Sequence, residues 1–174
     1  MPIEIPLGSG GHDRGKPPAP TGVCYLCEAV AGRTEKSIVE ETDHTATIVN
    51  WKQFELGQIY MVIKRHAPTI LDLTEEKATS VMQAVRRTAA ALVRAYDPDG
   101  INLIHNNGRV LGQEAPHFHL HVVPRRKVGS EWDNGTPHSA VLEGKVPTHP
   151  TRDVLISVER EREIAKYIGS HILH

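Results

Sequence analysis

Three histidines stand two apart in the run Pro116-His117-Phe118-His119-Leu120-His121-Val122-Val123-Pro124. Side chains of a β-strand alternate between its two faces, so a strand here would gather the three imidazoles on one face and Phe118, Leu120 and Val122 on the other. That alternation predicts an apolar face against a core and a histidine face against a cavity. A buried imidazole needs hydrogen-bond partners for both nitrogens, which makes three of them poor core filling. The run therefore points to a strand that carries a chemical site, in preference to a solvated edge strand with incidental histidines.

The rest of the composition sets the frame for that strand. With 174 residues, 39% of them hydrophobic, and a formal net charge of −1, the chain suits one globular domain with a real core. The charge balance gives no reason to expect nucleic acid as a partner. A phosphate-bearing small molecule is compatible with it, because loop amides and helix ends hold phosphate without formal charge. There is no run of about 18 apolar residues and no charged-then-apolar leader, so neither a membrane span nor a signal peptide is expected. The expected location is the cytoplasm. In a reducing compartment Cys24 and Cys27, separated by Tyr25 and Leu26, are a metal half-site or a dithiol pair before they are a structural disulfide.

Residues 1–22, crowded with Gly and Pro, read as an arm unable to bury apolar surface of its own. Strands are expected over Ser37–Glu40, Thr45–Asn50 and Gln58–Lys64, with Gly57 marking the turn before the third. Thr74, followed by Glu75 and Glu76, is a helix start. Ala78, Val81, Met82, Val85, Ala89, Leu92, Val93 and Tyr96 repeat at helical spacing and carry that helix to about Tyr96, with Arg86, Arg87 and Arg94 toward solvent. Asp97-Pro98-Asp99-Gly100 then turns the chain into a strand over Ile101–His105. After Arg126 the chain becomes polar and irregular, and a terminal helix is expected from about Leu155 to Ile168, with Val158, Ile164 and Ile168 as its apolar stripe. The order predicts an α+β fold with a mainly antiparallel sheet.

Asn106-Asn107-Gly108, Gly112-Gln113, the histidine run and Pro124-Arg125 together resemble the signature of the histidine triad family of nucleotide hydrolases and transferases. Cys24-Tyr25-Leu26-Cys27-Glu28-Ala29-Val30-Ala31-Gly32 resembles the zinc half-site segment of its bacterial branch. The resemblance runs from about Cys24 to Arg125 and implies a HIT-like fold with a five-stranded sheet and one long helix. It places the domain over residues 23–126 and leaves 127–174 as a C-terminal extension.

A neutral imidazole is a good nucleophile toward phosphorus, and His119, the middle histidine, is the candidate. The resemblance implies the same role: His119 attacks the α-phosphate of a nucleotide, and water then releases the nucleoside monophosphate. His121 would donate to a non-bridging oxygen. The family's transferase and phosphorylase branches tend to carry Gln at that position, so His121 favours hydrolysis, with transfer or phosphorolysis as the alternative. Asn106, Gly108, Gly112 and Gln113 match positions lining the phosphate and leaving-group site, and Gln113 is counted among the catalytic residues. From their types alone these residues are also ordinary turn formers. Asn50 matches the ribose-binding position and Ile48 the wall of the base pocket.

The resemblance also implies a structural zinc held by Cys24, Cys27, His66 and His117, a closed Cys2His2 set that would anchor the strand carrying His119. It further implies a homodimer. One departure stands out: Gly57-Gln58 replaces the family's usual Gly-His pair. His12, His44, His138, His149, His171 and His174 are expected at the surface. Two competing readings are a metalloenzyme whose catalytic ion sits on His117, His119 and His121, and a nucleotide-binding module without turnover. The first is awkward for one ion, since alternate outer residues of a strand lie ~13 Å apart.

Overall fold

The computed structural model describes residues 24–53, 55–125 and 154–173. The expected arm and most of the expected extension therefore lie outside the described residues. A short helix α1 (Tyr25–Val30) is followed by strands β1 (Ile38–Glu41), β2 (Thr45–Val49), β3 (Lys52–Gln53) and β4 (Ile59–Ile63). The long helix α2 (Glu75–Tyr96) leads to β5 (Gly100–Ile104) and β6 (His119–Arg125), and the chain ends in β7 (Val154–Leu155) and α3 (Val158–Gly169). Five strands form one antiparallel sheet in the order β1-β2-β4-β6-β5, and β3 pairs with β7 in a separate two-stranded ribbon. The α+β architecture expected from the sequence is the one observed.

Alternation along the strands divides the two faces. Ile59, Met61 and Ile63 of β4 and Leu120 and Val122 of β6 meet Val81, Val85, Ala91 and Leu92 of α2 and Ile164 and Ile168 of α3 in the main core. Ala46, Ile48, Tyr60 and Val62 face the other way and pack with Leu26 of α1. His119 and His121 leave β6 beside this smaller cluster, with Tyr60 directly opposite His121 in the ladder. The helix side of the sheet is thus sealed by apolar packing, and the α1 side is left for chemistry.

Helix α2 starts where Thr74 predicts, with its hydroxyl accepting from the Lys77 N–H, and ends at Asp97 in the left-handed region. Two residues of the expected apolar stripe fall outside the core: Met82 is 52% and Val93 48% exposed. They lie at the margin of the helical face, where the buried stripe is Val81, Ala84, Val85, Thr88, Ala91 and Leu92. Arg86 and Arg94 are exposed as expected, whereas Arg87 is half-buried and pairs with Glu40 of β1 at 2.7 Å. The terminal helix begins at Val158, three residues later than expected, because 154–155 are taken by β7 and Ser157 caps the helix by accepting from the Arg160 N–H.

Gly57 carries φ +91, and a Cβ there would lie 2.5 Å from Cε2 of Tyr96. Both the backbone conformation and the space exclude a side chain. Gly57→Ala is expected to destabilise the fold by about 1–3 kcal/mol. Urea denaturation reads this directly, and a variant as stable as the wild type would contradict the placement of Tyr96 under the turn.

Candidate active site

The strand that carries the histidines starts at His119, not at His117. His117 sits just before it, where the chain bends, and is fully buried. Its Nε2–H donates to the Ile63 carbonyl at 2.7 Å, which turns the Nδ1 lone pair toward Cys24 Sγ at 3.3 Å and Cys27 Sγ at 3.4 Å. His66 Nδ1 lies 3.3 Å from Cys27 Sγ. All four ligand atoms fall within 4.8 Å of one another. A tetrahedral ion bound by thiolates and imidazoles has ligand–ligand edges of ~3.5 Å, which the three Cys–His separations of 3.3, 3.3 and 3.4 Å match. The tautomer of His117 is that of a metal ligand whose far nitrogen is fixed by a carbonyl.

Burial pushes the His117 pKa down to about 4, against the opposing pull of the Ile63 carbonyl, with smaller lowering from His66 and His119. Burial, then the neighbouring Cys24, pushes the Cys27 thiol up to about 11. A neutral imidazole is ready to bind a cation. The cysteines must lose protons to do so, which a divalent ion promotes. Cys24, Cys27, His66 and His117, the four residues named from sequence, thus converge as a group that could hold a metal ion. His119 and His121 stand outside that group, which gives no support to a catalytic ion spread over all three histidines.

His119 donates Nδ1–H to the His117 carbonyl at 2.8 Å. With the proton on Nδ1, the lone pair is on Nε2. Burial lowers the pKa of His119, partly offset by the bond to the His117 carbonyl and adjusted by His105 and Glu114, so the neutral ring is favoured. His121 stands with its ring centroid 5.3 Å from that of His119. The Gln58 amide nitrogen lies 3.4 Å from His121 Nδ1, a contact that leaves the His121 proton on Nε2. Gln58 therefore reaches the histidines despite replacing an imidazole.

A cleft opens beside the two rings, lined by Tyr25, Leu26 and Tyr60, by Asn50, Trp51 and Lys52, and by Gly112, Glu114 and Ala115. Asn50 and Gly112 thus line it. Ile48 does not: it is fully buried behind Tyr60 and Leu26. Gln113 is also buried, and both ends of its amide are engaged, accepting from the Gly108 N–H at 2.7 Å and donating to the Pro68 carbonyl at 2.7 Å. Gly108 has φ +104 and Gly112 φ +86, so the loop over Asn106–Gln113 takes its shape from glycine conformations and from the Gln113 brace.

Two participants were not singled out from sequence. Tyr60 lies under both rings, its centroid 6.3 Å from His119 and 5.8 Å from His121. His105, just past β5, donates Nδ1–H to the His119 carbonyl at 2.8 Å, sets Nε2 2.9 Å from Asn107 Oδ1, and packs its ring at a tilt against Phe118, 4.4 Å between centroids. Asn107 Oδ1 also accepts from the Ile70 N–H at 2.9 Å. A histidine at a strand end, directly ahead of the Asn-Asn-Gly turn, was the available signal. Of the histidines expected at the surface, His44 and His171 are half-exposed, and His12, His138, His149 and His174 lie outside the described residues.

The HIT domain family profile matches residues 31–128, more than half of the chain. The chain belongs to the HIT domain family. It is 30% identical over 102 residues to Protein hit of Bacillus subtilis, covering 59% of this chain and 70% of that protein. It is 29% identical over 97 residues to bis(5'-adenosyl)-triphosphatase of Dictyostelium discoideum, covering 56% of this chain and 65% of that protein. The fold is similar to the crystal structure of a zinc-bound histidine triad family protein from Mycobacterium smegmatis, with a TM-score of 0.64 and 22% identity over 85% of this chain and 91% of that one.

Removing the His105 clamp should weaken the bend before β6. His105→Leu is expected to cost about 1–3 kcal/mol, from the lost hydrogen bond to the His119 carbonyl, which is left without its donor. Chemical denaturation measures it, and a change within about 0.3 kcal/mol of zero, inside ordinary surface variation, would show that the clamp carries no load.

Proposed function

We propose that the chain is a nucleotidyl hydrolase whose substrate is a nucleoside phosphate derivative, a dinucleoside polyphosphate or a nucleoside phosphoramidate. The observation that carries this reading is the fixed tautomer of His119, with Nδ1–H on the His117 carbonyl and Nε2 turned out beside His121 and the cleft. Nε2 attacks the α-phosphorus, the bond to the leaving group breaks, and a nucleotidyl-histidine forms. His121 Nε2–H donates to a non-bridging oxygen as charge builds there. Water then attacks phosphorus, the N–P bond breaks, and the nucleoside monophosphate leaves with His119 restored. The presence of a named triphosphatase among the relatives supports a phosphorus-directed hydrolysis.

Asn50, on the cleft wall, is the residue proposed to hold the ribose hydroxyls. Gly112 contributes backbone to the phosphate end. In the geometry described, Gln113 acts on that end by bracing Gly108, and Asn106 and Gly108 belong to the same braced turn. Ile48 serves the base pocket only as support beneath Tyr60. The test of the reaction is substitution of the nucleophile: His119→Asn should lower turnover of adenosine phosphoramidate or diadenosine polyphosphate by about a thousandfold or more, with the fold intact. Added imidazole should return part of the rate to His119→Gly. Near-normal hydrolysis by His119→Asn would reject covalent catalysis at this residue.

The metal proposed for the Cys24, Cys27, His66 and His117 cluster is zinc, in a structural role, since four protein ligands close the shell. The zinc-bound family member of similar fold supports the choice. Elemental analysis should return about one zinc per chain, and Cys24→Ala should lose both the zinc and thermal stability, because metal binding is folding free energy. Full zinc retention in a Cys24→Ala, Cys27→Ala double variant would refute the site.

A two-fold dimer is proposed as well, supported by the exposed Met82 and Val93 on α2 and Leu103 on the edge strand β5. Light scattering at micromolar concentration should give twice the chain mass, and a monomer mass would remove the idea. No helix among the described residues is long and apolar enough to cross a membrane, and the cytoplasm remains the proposed location.

A further inference from the structure

Gln53 is a fully buried polar side chain that no step of the reaction uses. Its amide is completely engaged. The nitrogen donates to the Asn50 carbonyl at 2.7 Å and to the Gln58 carbonyl at 2.8 Å, and the oxygen accepts from the Gly57 N–H at 2.9 Å and the Gln58 N–H at 3.2 Å. An amide offers two N–H donors and two lone pairs, and here each has a partner within one loop. The loop runs from Asn50 to Gln58, and it supplies the cleft with Asn50, Trp51, Lys52 and Gln58. Gln58 in turn meets His121. Beside the backbone bond from the Asn50 N–H to the Gln58 carbonyl at 3.0 Å, this side chain thus braces the residue proposed for the ribose against the residue behind the second histidine.

The same residue also pairs with the C-terminal segment, whose helix is held separately by the main core. Gln53 pairs with Val154 and Lys52 with Leu155 in the β3–β7 ribbon, and the Ile156 N–H donates to the Trp51 carbonyl at 3.0 Å. Trp51 and Ile156 are therefore a hydrogen-bonded pair of the antiparallel ladder, and Gln53 with Val154 is the next such pair. A second contact reaches the loop from the same segment. Tyr167 of α3 packs on Tyr96 at 5.4 Å, and Tyr96 fills the space under Gly57.

We propose that Gln53 is a positioning residue through which the C-terminal strand and helix hold the nucleoside side of the cleft in shape. The inference rests on the nucleotide reading of that cleft for its ligand. On this account residues 154–173 are a working part of the site, reaching from the chain's end to the ribose-binding wall and the His121 support without touching the phosphate end. Loss of the Gln53 bonds should then loosen binding of a nucleoside while leaving phosphate alone.

The test compares the full wild-type chain with Gln53→Met, Gln53→Glu and Val154→Pro. Met keeps the bulk of the side chain without its four bonds. Glu keeps shape and acceptors but turns an oxygen toward the Asn50 and Gln58 carbonyls, and Pro removes a ladder donor from β7. Hydrogen exchange at the Gly57 amide, which donates to Gln53, should become at least tenfold faster in all three. The dissociation constant for adenosine 5′-monophosphate should rise at least tenfold in both Gln53 variants and at least threefold in Val154→Pro, with that for inorganic phosphate unchanged. Wild-type exchange in Val154→Pro would overturn the coupling. Equal weakening of phosphate and nucleotide would also overturn it, since general loosening of the fold gives that pattern. A wild type that binds no nucleotide would instead sink the hydrolase reading, and the exchange result would then decide the coupling by itself.

Discussion

The two-sided capture of His117 is the constraint on which the site depends. One ring nitrogen is bound to the Ile63 carbonyl of β4 and the other faces the two cysteines of the α1 segment, so a single imidazole joins the sheet to the cysteine pair. Its own carbonyl then takes the Nδ1 proton of His119. Main-chain position, tautomer and ring direction of the neighbouring histidine all follow from that one anchorage. A metal in the cluster would tighten it without taking part in the chemistry, in the manner of a ligand shell that orients rather than reacts.

Around this anchor the chain uses buried side-chain amides to fix loops that bulk packing alone would leave loose. Gln113 braces the glycine turn at Gly108, and Gln53 closes the Asn50–Gln58 loop. Such groups are costly to bury unless every donor and acceptor is met, and each meets its partners within the loop it holds or across to a neighbouring turn. His105 does similar work on the carbonyl of His119.

Much of this was legible in the residues. Period-two alternation placed His119 and His121 opposite the apolar face, the Thr74 start and helical repeat located α2 to the residue, and the Cys-x-x-Cys pair found its partners once His66 and His117 were matched to it. What was not legible depends on contacts distant in sequence. Nothing local to Lys52-Gln53 announces a strand, because its partner is more than a hundred residues away at Val154 and Leu155. Gln113 was read as facing the leaving group, yet its side chain is turned back on Gly108 and Pro68, a direction set by the fold of the loop rather than by residue type. Ile48 was placed on the cleft wall, and the larger Tyr60 on the adjacent strand occupies that surface instead. Helical spacing alone also cannot tell Met82 and Val93 from core residues, because they flank the buried stripe.

The central claim is that His119 forms a covalent bond to phosphorus, so that displacement occurs twice. Each in-line displacement inverts a chiral phosphorus, and two in succession restore its configuration. The most direct test is therefore the stereochemical course of hydrolysis of a nucleoside α-phosphorothioate substrate of defined configuration, run in oxygen-18 water and read by phosphorus NMR. Retention is the result predicted. Inversion would show that water attacks the substrate directly and would contradict a nucleotidyl-histidine on the path.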